Sequence, residues 1–311
     1  MHIFTDDVEF ADTLISKKTN WKKYGISETN KSLNILCKNL YQSNTIFHTT
    51  IKSPTSWKIL FIKKHAAVSQ FEILRNLLHK NINLPDSILC LAGSGNNFHG
   101  FKNRKWETVS GNIHLSAFVA PDKIIQYFDV GFIILSAISV IQTLDLIPSL
   151  NQRIVIRWVN DIIIDNAKIG GVLTHTQTQG RKVTGAILGI GLNVEQTPFV
   201  ESDSFVPEVC SLADFIKFDK KINLAILIER LVEKLSQNYQ ILHNGEYEKL
   251  HTFYVKKSMI MNKNICVYSD PESGKPQKIF EGKVINIGKN LELYFENLRS
   301  PIRKGRIQVK K

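Results

Sequence analysis

Four strand-like runs follow one another across residues 153–194 with little room between them: RIVIRW (153–158), DIIID (161–165), KIGGVLTHT (168–176) and KVTGAILGIGLNV (182–194). Asp165-Asn166 and Gln179-Gly180 stand at two of the gaps, and Asn, Asp and Gly accept the left-handed backbone of a tight turn. Connections this short join neighbours in an antiparallel meander, because a parallel pair needs a crossover of about a dozen residues or more. Whatever else the chain forms has to pack on that sheet. The run GFIILSAISVIQTL (131–144) is apolar nearly all round, which predicts a helix buried against it.

Upstream, WKILFI (57–62) reads as a buried strand, and Ser69-Gln70-Phe71-Glu72 has capping-box spacing ahead of Leu74, Leu77 and Leu78. SILCLAG (87–93) and IHLSAFVA (113–120) read as two more strands, separated by the polar, glycine-bearing stretch GSGNNFHGFKNRKWETVSGN. Leu224, Leu227, Ile228, Leu231 and Leu235 recur at helical spacing, and the helical texture runs on to about residue 257. After Asn262 the pattern becomes ICVYSD, KIFEGKVINIG, LELYFEN and RIQVK, a small all-β tail. Residues 1–55 are polar and mixed, with weak helical periodicity and no assignable role. With 43% apolar residues among 311, a large core with appendages is expected, divided as 1–55, 56–260 and 261–311.

Cys37, Cys90, Cys210 and Cys266 show no C-x-x-C spacing, so neither a zinc knuckle nor a disulfide framework is indicated, and a reducing compartment fits. His99, His114 and His175 share no ligand spacing with cysteines or carboxylates. Asp6 and Asp7 follow Met1 where a secretory signal would be basic and then apolar, and the longest apolar stretch, 130–141, is too short to cross a bilayer. A cytoplasmic protein without membrane attachment is expected. The formal charge of +12 attracts any anion, but it is spread over single lysines and specifies none. Ser94 lacks the G-x-S-x-G frame of a nucleophile elbow, and its G-S-G lacks the Gly-Lys-Ser/Thr end of a P-loop.

Segment 157–171, RWVNDIIIDNAKIGG, interrupts apolar strands with Asn160, Asp161 and Lys168. Two readings stand side by side: an Asp161–Lys168 salt bridge across a hairpin, or an amide, a carboxylate and an ammonium converging at a sheet end to meet a phosphate or acyl carboxylate.

RWVNDIIIDNAKIGGVL is similar to the biotin-protein ligase pattern K-W-P-N-D-(apolar run)-K-x-x-G-(I/V)-L, matching at Trp158, Asn160, Asp161, Lys168, Gly171 and Leu173. Arg157 stands at the usual Lys and Val159 at the usual Pro. AILGIGLNV resembles that family's G-I-G-(I/L)-N-V strand at Gly189 to Val194, and FHGFKNRKWETVSGNIHLS its adenylate loop, with matches at Gly100, Arg104, Trp106, Gly111, Asn112 and Ser116. The resemblance implies an α+β fold, a class II synthetase-like mixed β-sheet flanked by helices, with a small C-terminal SH3-like β-barrel.

It also implies an ATP-dependent ligase that forms an acyl-adenylate and transfers the acid to a lysine of a biotin carboxyl carrier protein or domain. Lys168 and Arg104 take the catalytic roles on this resemblance, with Trp106 over the adenine. Gly100, Lys102, Gly111, Asn112, Arg157, Asn160, Gly171 and Asn193 join the nucleotide and substrate set, and Asp161 is a candidate magnesium ligand. ATP, Mg²⁺ and biotin are the implied cofactors and substrate. The family's D-S-T-N reads Ala67-Val68-Ser69-Gln70 here, leaving Ser69 and Gln70 as candidate acid-binding residues. A lipoate or octanoate ligase or transferase, and a degenerate non-catalytic member, are the alternatives. DNA binding is not expected, because residues 1–55 show no clear helix-turn-helix spacing, and homodimer formation is left open.

Overall fold

The computed structural model of the protein describes residues 1–26, 31–43, 45–201, 205, 208–217, 222–271 and 274–310. The polar first fifty residues enter the main sheet. β1 (His2–Thr5), β2 (Lys22–Gly25) and β3 (Thr45–Thr50) alternate with α1 (Val8–Leu14) and α2 (Lys31–Leu40). β1 pairs parallel to β4 (Ile59–Ala66), His2 opposite Ile59, so a contact 57 residues away fixes its register. Residues 27–30 and 44 of the polar run lie outside the described residues.

α3 (Gln70–His79) starts after Ser69 as its sequence predicts, but Ser69 makes no side-chain cap bond; Glu72 pairs instead with Arg75 at 2.5 Å. β5 (Ile88–Gly95) and β6 (Ile113–Val119) follow, then the buried helix α4 (Phe128–Leu144). The meander is β7 (Ile154–Arg157), β8 (Asp161–Ile164), β9 (Ala167–Gln179) and β10 (Lys182–Leu192). Its turns have the expected backbone: Asp165 and Asn166 take φ 46° and 71°, and Gly180 takes 59°. The helical stretch that follows is two helices, α5 (Leu224–His243) and α6 (Tyr247–Lys257), parted at Gly245 with φ 81°. The tail holds β11 (Asn264–Tyr268), β12 (Lys278–Ile287), β13 (Leu293–Phe295) and β14 (Arg306–Val309).

The large sheet has ten strands in the order β2-β3-β1-β4-β5-β6-β10-β9-β8-β7, parallel at β1–β4–β5 and antiparallel elsewhere. The tail forms a separate four-stranded sheet, β13-β12-β11-β14. Strand alternation sorts the main sheet's side chains onto two faces. Leu115, Ala186, Leu188, Ile190 and Leu192 join α4, α5 and α6 in the larger core, which continues into the tail through Ile265, Val267 and Ile307. Phe61, Cys90, Phe118 and Ile187 face α2 and α3 in a second core. Trp158 donates its indole N–H to the Leu291 carbonyl at 2.7 Å, and the Met259 amide donates to the Ile156 carbonyl at 2.9 Å; these bonds tie the meander's outer strands to the tail and the turn before it. No helix among the described residues is long and apolar enough to cross a membrane.

Candidate active site

Two residues beyond Ile187 on each step of alternation, Gly189 and Gly191 leave the second core's face of β10 bare. A Cβ on Gly189 would lie 3.0 Å from the Phe71 ring, and one on Gly191 would lie 2.4 Å from two carbons of the Trp106 indole. Glycine at these positions is therefore what lets two aromatic rings lie against strand backbone. Opposite in register on β9 are Leu173 and Gly171, and on β6 Ser116 and His114. Together they floor a cleft of about 800 Å³ whose mouth opens between loop 98–107 and the C-terminal sheet.

The loop is folded back on itself. Trp106 donates its amide to the Phe98 carbonyl at 2.9 Å and Gly100 to the Arg104 carbonyl at 2.7 Å, while Lys102 and Asn103 turn the chain at φ 56° each. Thr108 anchors its base, accepting from the Gly95 amide at 3.0 Å. The Trp106 indole N–H is buried without a protein partner.

At the meander end, the Asp161–Lys168 salt bridge is present, and it lies in the cleft. Lys168 Nζ lies 2.6 Å from Asp161 Oδ1, across the β8–β9 hairpin, and 5.7 Å from the centre of the Trp106 ring, so the ion pair lines the cleft. Arg157 completes it, with Nη1 3.7 Å from Asp161 Oδ2 and Nη2 donating to the Ile307 carbonyl at 2.6 Å. Burial lowers the Arg157 guanidinium from its ordinary value, Asp161 opposes that shift, and Arg306 and Arg104 add to it. Asn160 donates to the Val172 carbonyl at 2.7 Å, and the Trp158–Val159 peptide is cis. Burial pushes the His114 imidazole down to about 4, although Nε2 lies 3.2 Å from the Val109 carbonyl; Nδ1 is buried without a partner.

Of the residues singled out from sequence, Ser69, Gly100, Lys102, Arg104, Trp106, Arg157, Asn160, Asp161, Lys168, Gly171 and Asn193 line this one cleft. Gln70, Gly111 and Asn112 do not. Gln70 is buried and donates to the Leu91 carbonyl at 3.2 Å. Asn112 spends its amide on backbone, donating to the Gln196 carbonyl at 2.8 Å and accepting from the Val194 amide at 2.9 Å. Gly111, at φ 87°, lies against Glu195 in a smaller hollow. The sequence reading missed Asp270, which Arg104 meets at 2.7 Å, and Arg306, whose guanidinium lies 4.3 Å from the centre of the Phe205 ring. The one available signal was the basic run Arg303-Lys304-Gly305-Arg306 in the tail, all of which lines the mouth.

A divalent ion has little protein to hold it here. No group of three His, Cys, Asp or Glu side chains converges among the described residues, and both Asp161 oxygens already face cations. Such an ion would have to bring phosphate oxygens with it.

Residues 89–193 match the model of the biotin/lipoate A/B protein ligase family. The bifunctional ligase/repressor BirA of Bacillus spizizenii is 29% identical over 163 residues, 51% of this chain and 48% of that protein, so the chain spans about half the length of the curated relatives it matches. Among solved structures, a biotin protein ligase from Aquifex aeolicus in complex with biotin and ATP superposes with TM-score 0.61 at 19% identity, over 82% of this chain and 100% of that one. A biotin protein ligase from Leishmania major in complex with biotinyl-5-AMP gives 0.51 at 14% identity, over 84% and 100%. At those identities the structural likeness concerns the fold.

Proposed function

We propose that this chain, whose residues 89–193 match the biotin/lipoate A/B protein ligase family, joins biotin to ATP as biotinyl-5′-AMP and passes it to a lysine of a biotin carboxyl carrier protein or domain in the cytoplasm. The observation that carries the reading is the convergence, in one cleft with a glycine floor, of the Lys168 ammonium, its Asp161 partner and the Trp106 indole. In the first step a carboxylate oxygen of the acid attacks the α-phosphorus and the bond to pyrophosphate breaks. Charge grows on the phosphoryl oxygens, where a preorganised ammonium and guanidinium act most strongly. Lys168 fills that role at the floor and Arg104 at the loop. In the second step the carrier's lysine amine attacks the acyl carbon and AMP leaves.

Trp106, seated against Gly191, would offer the adenine its ring. Ser69 and Phe71 border the apolar half of the cleft, where the acid's body would lie. Magnesium would arrive with the nucleotide and be held chiefly by phosphate oxygens, since both Asp161 oxygens already face cations. The four-stranded C-terminal sheet, in the segment bounded here as 261–311, corresponds on this reading to the ligases' SH3-like barrel, and 56–260 to the catalytic domain.

Because Ala67-Val68 replaces the Asp-Ser with which the family's acid-binding segment begins, a lipoate or octanoate ligase is the second reading. ATP–pyrophosphate exchange run separately with biotin, lipoate and octanoate, with mass spectrometry of the acyl-AMP, decides between them. Exchange with biotin alone supports the first reading; silence with all three acids would overturn both.

A further inference from the structure

The polar N-terminal run brings two of the chain's nine histidines together, far from the cleft's lining. His2 opens β1 and His48 lies within β3, 46 residues later. The two strands pair antiparallel, with Phe4 opposite His48 and His2 opposite Thr50, so alternation puts all four side chains on one face and the two imidazoles on a diagonal. His2 Nδ1 lies 3.1 Å from His48 Nε2, and the rings are 5.3 Å apart between centres. Phe4 at 4.7 Å and Tyr24 of β2 at 5.4 Å hold the His48 ring in place, while His2 is exposed. One imidazole is therefore fixed and the other is open to solvent.

Two nitrogens 3.1 Å apart, each about 2.0–2.1 Å from a shared ion, subtend about 100° at it, between the right angle of a square plane and the tetrahedral angle. In the free protein the pair makes an N–H···N hydrogen bond, so one of these nitrogens carries a proton. To take an ion, that ring moves its proton to its far nitrogen, and both near nitrogens then offer lone pairs. Burial, with His2 and Lys22 adding to it, lowers the His48 imidazole from its ordinary value, which keeps it neutral and able to ligate. No group of three His, Cys, Asp or Glu side chains converges among the described residues, so the protein supplies two ligands and water the rest.

We infer that His2 and His48 form a surface site for a divalent transition-metal ion of the imidazole-seeking class, Cu²⁺ ahead of Ni²⁺ and Zn²⁺, and that the bound ion staples β1 to β3. The order is that of nitrogen ligands in general, and Mg²⁺, which takes oxygen ligands, does not compete. Because unfolding separates ligands 46 residues apart, the ion stabilises the folded chain by mass action. Lys22, opposite His48 on β2, works against the ion. Since neither histidine lines the cleft, the site stands whichever acid the cleft activates.

The test is titration of the full chain with Cu²⁺ in the presence of excess Mg²⁺, read by calorimetry, by unfolding temperature and by electron paramagnetic resonance. The tightest-binding ion should show coupling to two imidazole nitrogens and raise the unfolding temperature. His2→Gln and His48→Gln should each weaken that step about tenfold or more, since even residues behind a metal's ligands cost 10- to 100-fold. Lys22→Ala should tighten it severalfold, an effect that a purely structural histidine pair would not give. Without metal, His2→Gln should unfold at the wild-type temperature, its side chain being exposed, so it carries the test even if His48→Gln folds poorly. His79 and His175, with rings 5.2 Å apart, are the competing pair, and His79→Gln should leave the tightest step unchanged. Affinity within twofold of wild type in His2→Gln, loss of the tightest step in His79→Gln, or coupling to a single nitrogen in the wild type would each overturn the assignment.

Discussion

Replacing Gly191 by alanine puts a methyl carbon into the seat of the Trp106 indole. The new Cβ would stand 2.4 Å from indole Cε2 and Cζ2 and 2.9 Å from Nε1, whereas carbon atoms settle at about 3.5–4.0 Å, so the ring must withdraw by roughly 1 Å or more. Backbone strain is not the cause, since Gly191 lies inside β10, where alanine is tolerated. The displaced ring loses its seat on the strand and its place beneath the Lys168 ammonium at 5.7 Å. If the indole stacks on a base, losing that face costs about 1–3 kcal/mol, or about 5- to 150-fold in nucleotide affinity.

Gly171 supplies the control. It is the cross-strand partner of Gly191, yet a Cβ there meets nothing nearer than 3.7 Å. Acrylamide quenching of tryptophan fluorescence should therefore rise in Gly191→Ala and stay at the wild-type value in Gly171→Ala, and AMP titration should show the affinity loss in Gly191→Ala. Unfolding temperatures should move little in either variant. Wild-type AMP affinity in Gly191→Ala, with the indole demonstrably more exposed, would falsify the stacking role.

Lys168→Ala should slow ATP–pyrophosphate exchange about 10²- to 10³-fold, the range for losing one preorganised charge partner, and exchange at the wild-type rate would remove Lys168 from the chemistry. Asp161→Asn leaves Lys168 and Arg157 facing each other without their shared carboxylate. With side chains 12–21% exposed, a loss of about 1–3 kcal/mol is expected, read as a lower denaturation midpoint in urea. His114 gives a pH signature. Its folded value is lowered from 6.5 to about 4, so the unfolded chain binds the proton more readily and stability falls as pH drops through that window, by roughly 3 kcal/mol at most. His114→Phe should flatten this part of the stability–pH profile, and an unchanged slope would mean the imidazole is not shielded.

Sequence disclosed the parts of the fold whose causes are local. The meander, its Asp165-Asn166 turn, the all-apolar α4 and the tail's short strands each follow from periodicity and turn chemistry within a dozen residues or so. β1 and β3 escaped because nothing local marks them. They are four and six residues long, and they become strands by pairing with one another and, for β1, with the apolar β4. The ion pair at Asp161 was legible for the same reason as the turn, since its hairpin brings the two residues together within one motif.

A motif match says which residues recur together and not which way each one faces. Asn112 and Lys168 are equally good matches, yet one spends its amide on the Val194 and Gln196 backbone while the other reaches into the cleft. Charged side chains fixed by neighbouring strands are thus predictable, and amides near loop bases are ambiguous, because backbone groups there compete for the same hydrogen bonds. Arg104 lies between these cases: its loop could be located from sequence, but its partner Asp270 is 166 residues away. Its motif pointed to a phosphate while its structural partner is a carboxylate, so a contact that distant in sequence decides what the guanidinium meets.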